Sequence, residues 1–170
     1  CFMTNLSFDD EDIIVSIDAD EIIYREAWPY IISEVKTKEL VRLNLYQFFY
    51  KFTYLWEGKD FTSPIASKYK VFKYQYPCNW RDVGQVVSKK VGCHFSWCMT
   101  PEEMVYKLHT YSHPRYRFCA DEKLLKEAIE NKTYPFDDSV DFNIREIELY
   151  DEVLPECVRR QSPYLEKVLV

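Results

Sequence analysis

The sequence predicts a mixed α/β fold, and two observations support this prediction. Segments with the two-residue alternation of β-strands and segments with the spacing of amphipathic helices follow one another along the chain, which is typical of layered α/β domains. Apolar residues make up 47% of the 170 positions and only 3 positions are glycine, so the chain can bury a substantial core. Because no repeat or low-complexity linker interrupts the chain, we expect one domain over residues 1–170.

The strand predictions begin with the apolar run at residues 12–17, which ends at a group of acids. Residues 41–56 alternate at first and then become aromatic, which indicates a strand with one side facing a cleft. Shorter segments predict strands at residues 68–76, 93–97 and 145–150.

Helices are predicted at residues 26–40, 100–111, 121–132 and 154–169. In the first helix Pro29 falls in the opening turn, where proline is tolerated. The second begins with a capping box, in which Thr100 and Glu103 each bind the other's backbone N–H. The third is amphipathic, and the last is interrupted near Pro163.

Charge and hydropathy argue against two classes of protein. The formal net charge of −6 argues against binding to a nucleic-acid backbone, which requires a basic surface. No apolar stretch approaches the roughly 18 residues of a membrane span, so we expect membrane contact only through a segment outside these residues. The chain begins at Cys1 rather than at a methionine, and we expect further residues to precede it.

The six cysteines are compatible with disulfides in a secretory compartment, but we expect free and mostly buried thiols. Cys93 and Cys98 have a spacing that zinc sites use. No second cysteine or histidine pair completes four ligands, so structural zinc is the weaker hypothesis.

Three acids, Asp18, Asp20 and Glu21, follow the first predicted strand. In an extended chain the carboxylates of Asp18 and Asp20 leave the same face and can bind one cation. Oxygen ligands of this kind suit Mg²⁺ or Mn²⁺. A solvated acidic turn is the alternative, although acids at the end of a buried strand need compensation for their burial.

An apolar strand followed by two aspartates also resembles the start of the haloacid-dehalogenase phosphatases, in which Asp18 would be the nucleophile and Asp20 the acid or base. That family requires threonine or valine where this chain has Ile22, and a later Gly-Asp pair that does not occur here. A phosphatase is therefore also a weaker hypothesis.

Distant segments of the chain combine into a more specific pattern. The acidic "DADEI", the "HFSW" and proline-led helix within residues 91–116, and the tail "LPECV" together resemble glycosyltransferase family 17. The resemblance extends from about residue 8 to the end. Two positions depart from the family pattern, which usually has proline in place of Ile23 and an aromatic residue in place of Cys93.

This resemblance implies a GT-A-type, Rossmann-like fold. It implies inverting transfer of N-acetylglucosamine from UDP-GlcNAc to a mannose-containing glycan, with Mn²⁺ or Mg²⁺ as cofactor. In this family the segments that hold uridine normally precede the acidic motif, so we expect this chain to be the carboxyl-terminal part of a catalytic domain. A partial or degenerate domain that only binds glycan is the non-enzymatic alternative.

The resemblance also implies site residues. Asp20 would bind the cation directly, and Asp18 would contact the cation, its water or the donor ribose. His94 would be a third ligand, with a hydrogen-bonded core histidine as the alternative. If residues 93–97 form a strand, we expect the His94 ring within several ångströms of the Asp20 carboxylate, and a separation above about 10 Å would remove it from the site.

Inverting transfer needs a general base that removes a proton from the acceptor hydroxyl. We favour Asp82, which lies in sequence between the acidic motif and the predicted histidine ligand. Glu21, Glu57 and Asp60 are the other candidates. Arg81 is a candidate contact for the donor diphosphate, with a surface ion pair as the alternative.

Flat aromatic side chains suit sugar rings. We expect Tyr50, Trp56 and Trp97 to bind substrate, with Trp97 in the same cleft as His94 and the acids. At least half of the aromatic residues in the segments that contain these three must instead belong to the core, because large apolar side chains are mostly buried.

Overall fold

The computed structural model describes residues 7–73, 82–110, 114–137 and 139–160. The chain divides into two compact units, a first unit of Cys1–Tyr46 with Asp60–His94 and a second unit of Gln47–Lys59 with Phe95–Val170. No change in composition marks the points at which the chain leaves one unit for the other. A single domain over residues 1–170 stays a prediction.

The strands within the described residues are Ile13–Ser16 (β1), Glu21–Ile23 (β2), Leu40–Phe49 (β3), Tyr54–Phe61 (β4), Ile65–Lys68 (β5), Gln85–Ser96 (β6) and Ile144–Glu146 (β7). The α-helices are Trp28–Lys38 (α1), Tyr69–Phe72 (α2), Pro101–Thr110 (α3), Glu122–Glu130 (α4) and Glu156–Arg159 (α5), with 3-10 turns at Arg25–Ala27 and Pro114–Cys119. Over the same ranges, none of the helices is both long and apolar enough to cross a membrane.

Hydrogen bonding gives the strand order β1-β5-β3-β4-β7, and β6 pairs with β2 and with β3. The pairs β1–β5, β2–β6, β3–β5 and β4–β7 are antiparallel. This combination of sheet and helices confirms the predicted mixed α/β class. The GT-A arrangement stays a prediction.

The first unit is organised by α1. Pro29 lies in its first turn, as predicted, and Glu39 ends the helix with a left-handed φ of 65°. Ile31 and Val35 form the buried side of the helix. They share an apolar core with Val41, Leu43, Leu45, Ala66, Val87 and Val91. The alternating positions of β3 therefore belong to the core, and β6, which pairs with β3, also pairs with the shorter β2.

The second unit has an aromatic core. Its buried residues include Phe49, Tyr50, Tyr54, Trp56, Trp97, Met104, Leu108 and Leu125. The helix α3 begins with the predicted capping box: the Thr100 N–H donates to Glu103 Oε2 at 2.9 Å, and the Glu103 N–H donates to Thr100 Oγ1 at 3.3 Å. The prediction of a capped helix at this position is confirmed.

The prediction of a strand at residues 68–76 is wrong for its described part. Only Lys68 belongs to a strand, and one helical turn, α2, follows it. The Tyr69 N–H donates to the Asp12 carbonyl oxygen at 2.7 Å, so the start of this turn is tied to the amino-terminal segment rather than to a neighbouring strand. Residues 74–76 lie outside the described ranges.

Other elements also differ from prediction. The single strand expected at residues 41–56 is divided between β3 and β4. The strand expected at residues 93–97 is the end of the 12-residue β6. The strand expected at residues 145–150 is the short β7, and of the final predicted helix the structure describes only α5. The interruption near Pro163 lies outside the described residues.

The structure describes four cysteines, of which Cys93 and Cys119 are buried, Cys98 is half-buried and Cys157 is exposed. Cys119 and Cys157 are free thiols. The expectation of free thiols is confirmed for these two positions.

Candidate functional site

The acidic motif forms a tight turn between β1 and β2. Asp18 and Asp20 lie in the turn, and Glu21 is the first residue of β2. The Glu21 N–H donates to the Asp18 carbonyl oxygen at 3.2 Å, which closes a four-residue turn. The Glu21 carboxylate also reaches back, and its Oε2 accepts the Asp18 N–H at 2.7 Å. These two hydrogen bonds hold the backbone of the acidic motif in one conformation.

The pairing of β2 with β6 brings this turn to His94. The antiparallel register places Glu21 opposite His94 and Ile23 opposite Gly92. Residues directly opposite in such a pair have Cβ atoms about 4.5–5.5 Å apart. Gly92 permits the close approach, because a Cβ added there would lie 2.1 Å from the Ile22 carbonyl oxygen.

His94 is buried, with 8% of its surface exposed, and its ring edge faces an acid. His94 Nε2 lies 3.6 Å from Asp20 Oδ2. The predicted proximity of these two side chains is confirmed. The Phe61 ring stacks on the imidazole, with ring centroids 3.7 Å apart and an interplanar angle of 27°. The imidazole is therefore covered on one face and directed at the acidic turn along its edge.

Asp20, Glu21 and His94 form a cluster that fits a divalent cation. Each offers one ligand atom, and these atoms all lie within 4.8 Å of one another. Two ligand atoms about 2.1 Å from one ion lie about 3.0 Å apart at right angles and about 4.2 Å apart on opposite sides. The 3.6 Å between Asp20 Oδ2 and His94 Nε2 falls within these limits. The other separations are at most 4.8 Å, and a pair at that limit would have to shorten by about 0.6 Å to lie on opposite sides of one ion or by about 1.8 Å to lie at right angles.

The chemistry of the three side chains also suits a divalent cation. Carboxylates suit Mg²⁺ and Mn²⁺, and imidazole favours transition metals over Mg²⁺. Burial raises the pKa of the Glu21 carboxyl, and the negative charges of Asp18 and Asp20 also raise it. The hydrogen bond from the Asp18 N–H and the charge of His94 act in the opposite direction and lower it. A cation in the cluster would offset both the burial and the repulsion between carboxylates.

Comparison with known protein families identifies the chain. The model of glycosyltransferase family 17 matches residues 1–142. The chain belongs to glycosyltransferase family 17. The matched region contains both the acidic turn and His94, whereas the "LPECV" tail lies beyond it. No curated protein and no solved structure matches the chain.

The family 17 chain thus has two of its three predicted metal ligands, Asp20 and His94, in one cluster. The third member of the cluster is Glu21, which we expected as a base, and not Asp18. Asp18 is exposed, and its N–H binds the Glu21 carboxylate. Ligation of a cation or of the donor by Asp18 stays a prediction.

The placement of Asp82 gives no support to its predicted role as the base. Asp82 lies in an exposed segment just before β6, whereas His94 is near the far end of that 12-residue strand. Residues advance about 3.3 Å each along a strand, so at least about 30 Å of strand separates the two. Sequence order suggested proximity, whereas the extended backbone of β6 does not favour it, and Asp82 as the base stays a prediction. Arg81, the predicted diphosphate contact, lies outside the described residues.

Two other candidate bases are held by cations. Asp60 is bonded by Lys90 and by Asn44 Nδ2, the latter at 3.3 Å, and the Lys90 hydrogen bond lowers the pKa of Asp60. In the second unit, Glu57 accepts a hydrogen bond from Arg145 Nε. A carboxylate whose pKa is lowered is a weak proton acceptor, so Asp60 is not a strong candidate, and the Glu57 carboxylate is already bonded to Arg145.

The three aromatic residues predicted to bind sugar lie in the core of the second unit. Tyr50, Trp56 and Trp97 are only 1%, 6% and 7% exposed. The Tyr50 hydroxyl donates to the Thr133 carbonyl oxygen at 2.9 Å, and Trp56 Nε1 donates to the Asp141 carbonyl oxygen at 3.1 Å. Burial leaves almost no ring surface for a sugar, so core packing accounts for these side chains.

Sequence reasoning missed two residues that shape the site, Phe61 and Gly92. A glycine inside a strand pattern signals a close backbone approach, so Gly92 was detectable. Phe61 is one aromatic residue among many, and its sequence context gives no signal that it meets His94.

Proposed function

We propose that this chain carries the cation-binding part of the donor site of an inverting glycosyltransferase. The enzyme moves N-acetylglucosamine from UDP-GlcNAc to a mannose-containing glycan, with Mn²⁺ or Mg²⁺ as cofactor. The observation that carries the proposal is the cluster of Asp20, Glu21 and His94, whose ligand atoms lie within 4.8 Å of one another in a member of glycosyltransferase family 17. The choice of donor and acceptor follows the activity that the family resemblance implies.

The reaction creates the need for such a cluster. A divalent cation stabilises the negative charge that develops on the diphosphate as the nucleotide leaves. The His94 side chain is 10% exposed and the Asp20 side chain is 37% exposed, so the cluster is closed on the protein side and accessible at Asp20. Protein ligands on one side leave the other side for phosphate oxygens and water.

Glu21 is the predicted base that lies in the cluster. Its raised pKa is the direction that a general base needs, because a base works best with a pKa near the working pH. One of its oxygens already binds the Asp18 N–H, which favours a role in holding the turn and the cation. Glu21 as the catalytic base stays a prediction.

The experiment uses the full-length protein, and it measures UDP release from UDP-GlcNAc, UDP-glucose and UDP-galactose with a high-mannose acceptor. We expect release from UDP-GlcNAc with Mn²⁺, and loss of release in excess chelator and in Asp20→Ala. Asp10→Asn is the matched control, since Asp10 is an exposed aspartate of the same unit that pairs with Lys73. We expect this variant to keep its activity.

Undiminished activity of Asp20→Ala in excess chelator would contradict the proposal. The same assay separates the alternatives that the sequence left open. Release of inorganic phosphate from simple esters would indicate a phosphatase. Binding of the glycan without UDP release from any donor would indicate a glycan-binding domain.

A further inference from the structure

Phe61 is the last residue of β4, and its ring lies on the face of the His94 imidazole. The centroids are 3.7 Å apart and the planes are inclined by 27°. The χ2 torsion of histidine is broad and roughly two-fold, so the ring of a histidine turns easily unless neighbours restrict it. A near-parallel ring at this distance restricts that rotation and leaves the edge of the imidazole for polar contacts.

The position of Phe61 is set independently of the cluster. Its side chain packs against the apolar core of the first unit. Its neighbour in sequence, Asp60, is bonded by Lys90 and by Asn44. The end of β4 is thus anchored by core packing and by an ion pair, so the Phe61 ring is a fixed surface against which the imidazole rests.

A histidine that binds a metal must direct one ring nitrogen at the ion within the plane of the ring. Hydrogen-bonding partners of the ligand commonly fix this orientation, and their removal lowers metal affinity about 10–100-fold. A ring stacked on the face of the imidazole acts on the same orientation by steric restriction. We infer that Phe61 is a positioning residue for His94, which holds the imidazole plane so that Nε2 points to Asp20. The inference rests on the proposed function and deepens the account of the same site.

The test compares Phe61→Leu, which keeps an apolar side chain but removes the ring, with Phe61→Tyr, which keeps the ring. Val35→Ala is the control for a general loosening of the core, because Val35 is fully buried in the same unit. Mn²⁺ affinity is measured from free Mn²⁺ by electron paramagnetic resonance, and thermal unfolding verifies that each variant is folded. We expect Phe61→Leu to bind Mn²⁺ at least about 10-fold more weakly. We expect Phe61→Tyr and Val35→Ala to stay within about two-fold of wild type, since both keep an aromatic ring on His94.

A second readout does not require the cation. In the metal-free protein, nuclear Overhauser effects between the His94 ring protons and the Asp20 Hβ protons should persist in Phe61→Tyr and Val35→Ala and disappear in Phe61→Leu. If the wild type binds no Mn²⁺, the proposed cation site fails, and this second readout alone decides the inference.

Persistence of these effects in folded Phe61→Leu would overturn the inference, as would a wild-type Mn²⁺ affinity in that variant. Equal losses in Phe61→Leu and Phe61→Tyr would also overturn it, because the ring would then not be the cause. If Phe61→Leu does not fold, Phe61→Met takes its place with the same expected outcomes.

Discussion

Replacement of Gly92 by alanine tests whether the close pairing of β2 and β6 assembles the site. The new Cβ would lie 2.1 Å from the Ile22 carbonyl oxygen and 3.0 Å from the Ile22 carbonyl carbon and the Ile23 Cα. All three are backbone atoms, so a normal contact requires β2 to move by about 1 Å. Overpacking of this kind lowers the free energy of unfolding by about 1–3 kcal/mol. Because β2 begins with Glu21, a shift of about 1 Å would also misplace the cluster and can lower turnover about 10²-fold.

The assay combines urea unfolding with the Mn²⁺ dissociation constant. Gly58→Ala is the matched control, because Gly58 has a φ of 74° and no heavy atom lies within 4 Å of an added Cβ. The control therefore has backbone strain of about 1–2 kcal/mol without crowding. We expect both variants to lose stability, and only Gly92→Ala to lose Mn²⁺ affinity, by about 10-fold or more. A wild-type affinity in Gly92→Ala would refute the reasoning that this approach of two strands sets the site.

Three further predictions concern residues around the site and in the core. Asp60→Asn should lower the free energy of unfolding at neutral pH by less than about 1 kcal/mol, because the Asp60 side chain that pairs with Lys90 is 55% exposed. The pKa of Asp60 is lowered, so this contribution is present above its ordinary pKa and is lost as the pH falls through the folded-state value. Urea unfolding at several pH values measures this difference. A free energy of unfolding that is still higher for wild type than for Asp60→Asn in strong acid would contradict the prediction. Glu21→Gln should weaken Mn²⁺ binding in calorimetry, whereas an unchanged affinity with a lower kcat would make Glu21 the base. Tyr50→Phe should lose about 0.5–1.5 kcal/mol of stability with its hydrogen bond to Thr133 and leave the acceptor KM unchanged. A raised KM for the acceptor would instead support the predicted role of Tyr50 in sugar binding.

Features that depend on short-range rules were predictable from the sequence. The capping box of Thr100 and Glu103 uses a fixed spacing, and the acids that follow β1 mark the end of a strand that is half-buried rather than buried. The proximity of Asp20 and His94 was also predicted. That prediction came from the pattern of the family rather than from local physics, since nothing in either segment specifies a partner so distant in sequence.

Features that depend on tertiary pairing were not predictable. The placement of Asp82 depends on the full length of β6, and only its last part had a recognisable strand pattern. Tyr50 and Trp56 have the side chains that a sugar site would use, but an aromatic core uses the same residue types. The division into two units was also not predictable from the sequence, because each unit combines segments that are distant in sequence.

The central claim is that Asp20, Glu21 and His94 bind a divalent cation, and pulsed electron paramagnetic resonance of Mn²⁺ bound to the protein tests it most directly. The account predicts a nitrogen coupling from one imidazole ligand. This coupling should disappear in His94→Gln, and Mn²⁺ binding should weaken in Asp20→Asn. Bound Mn²⁺ without a nitrogen coupling, or a coupling that survives in His94→Gln, would contradict the account.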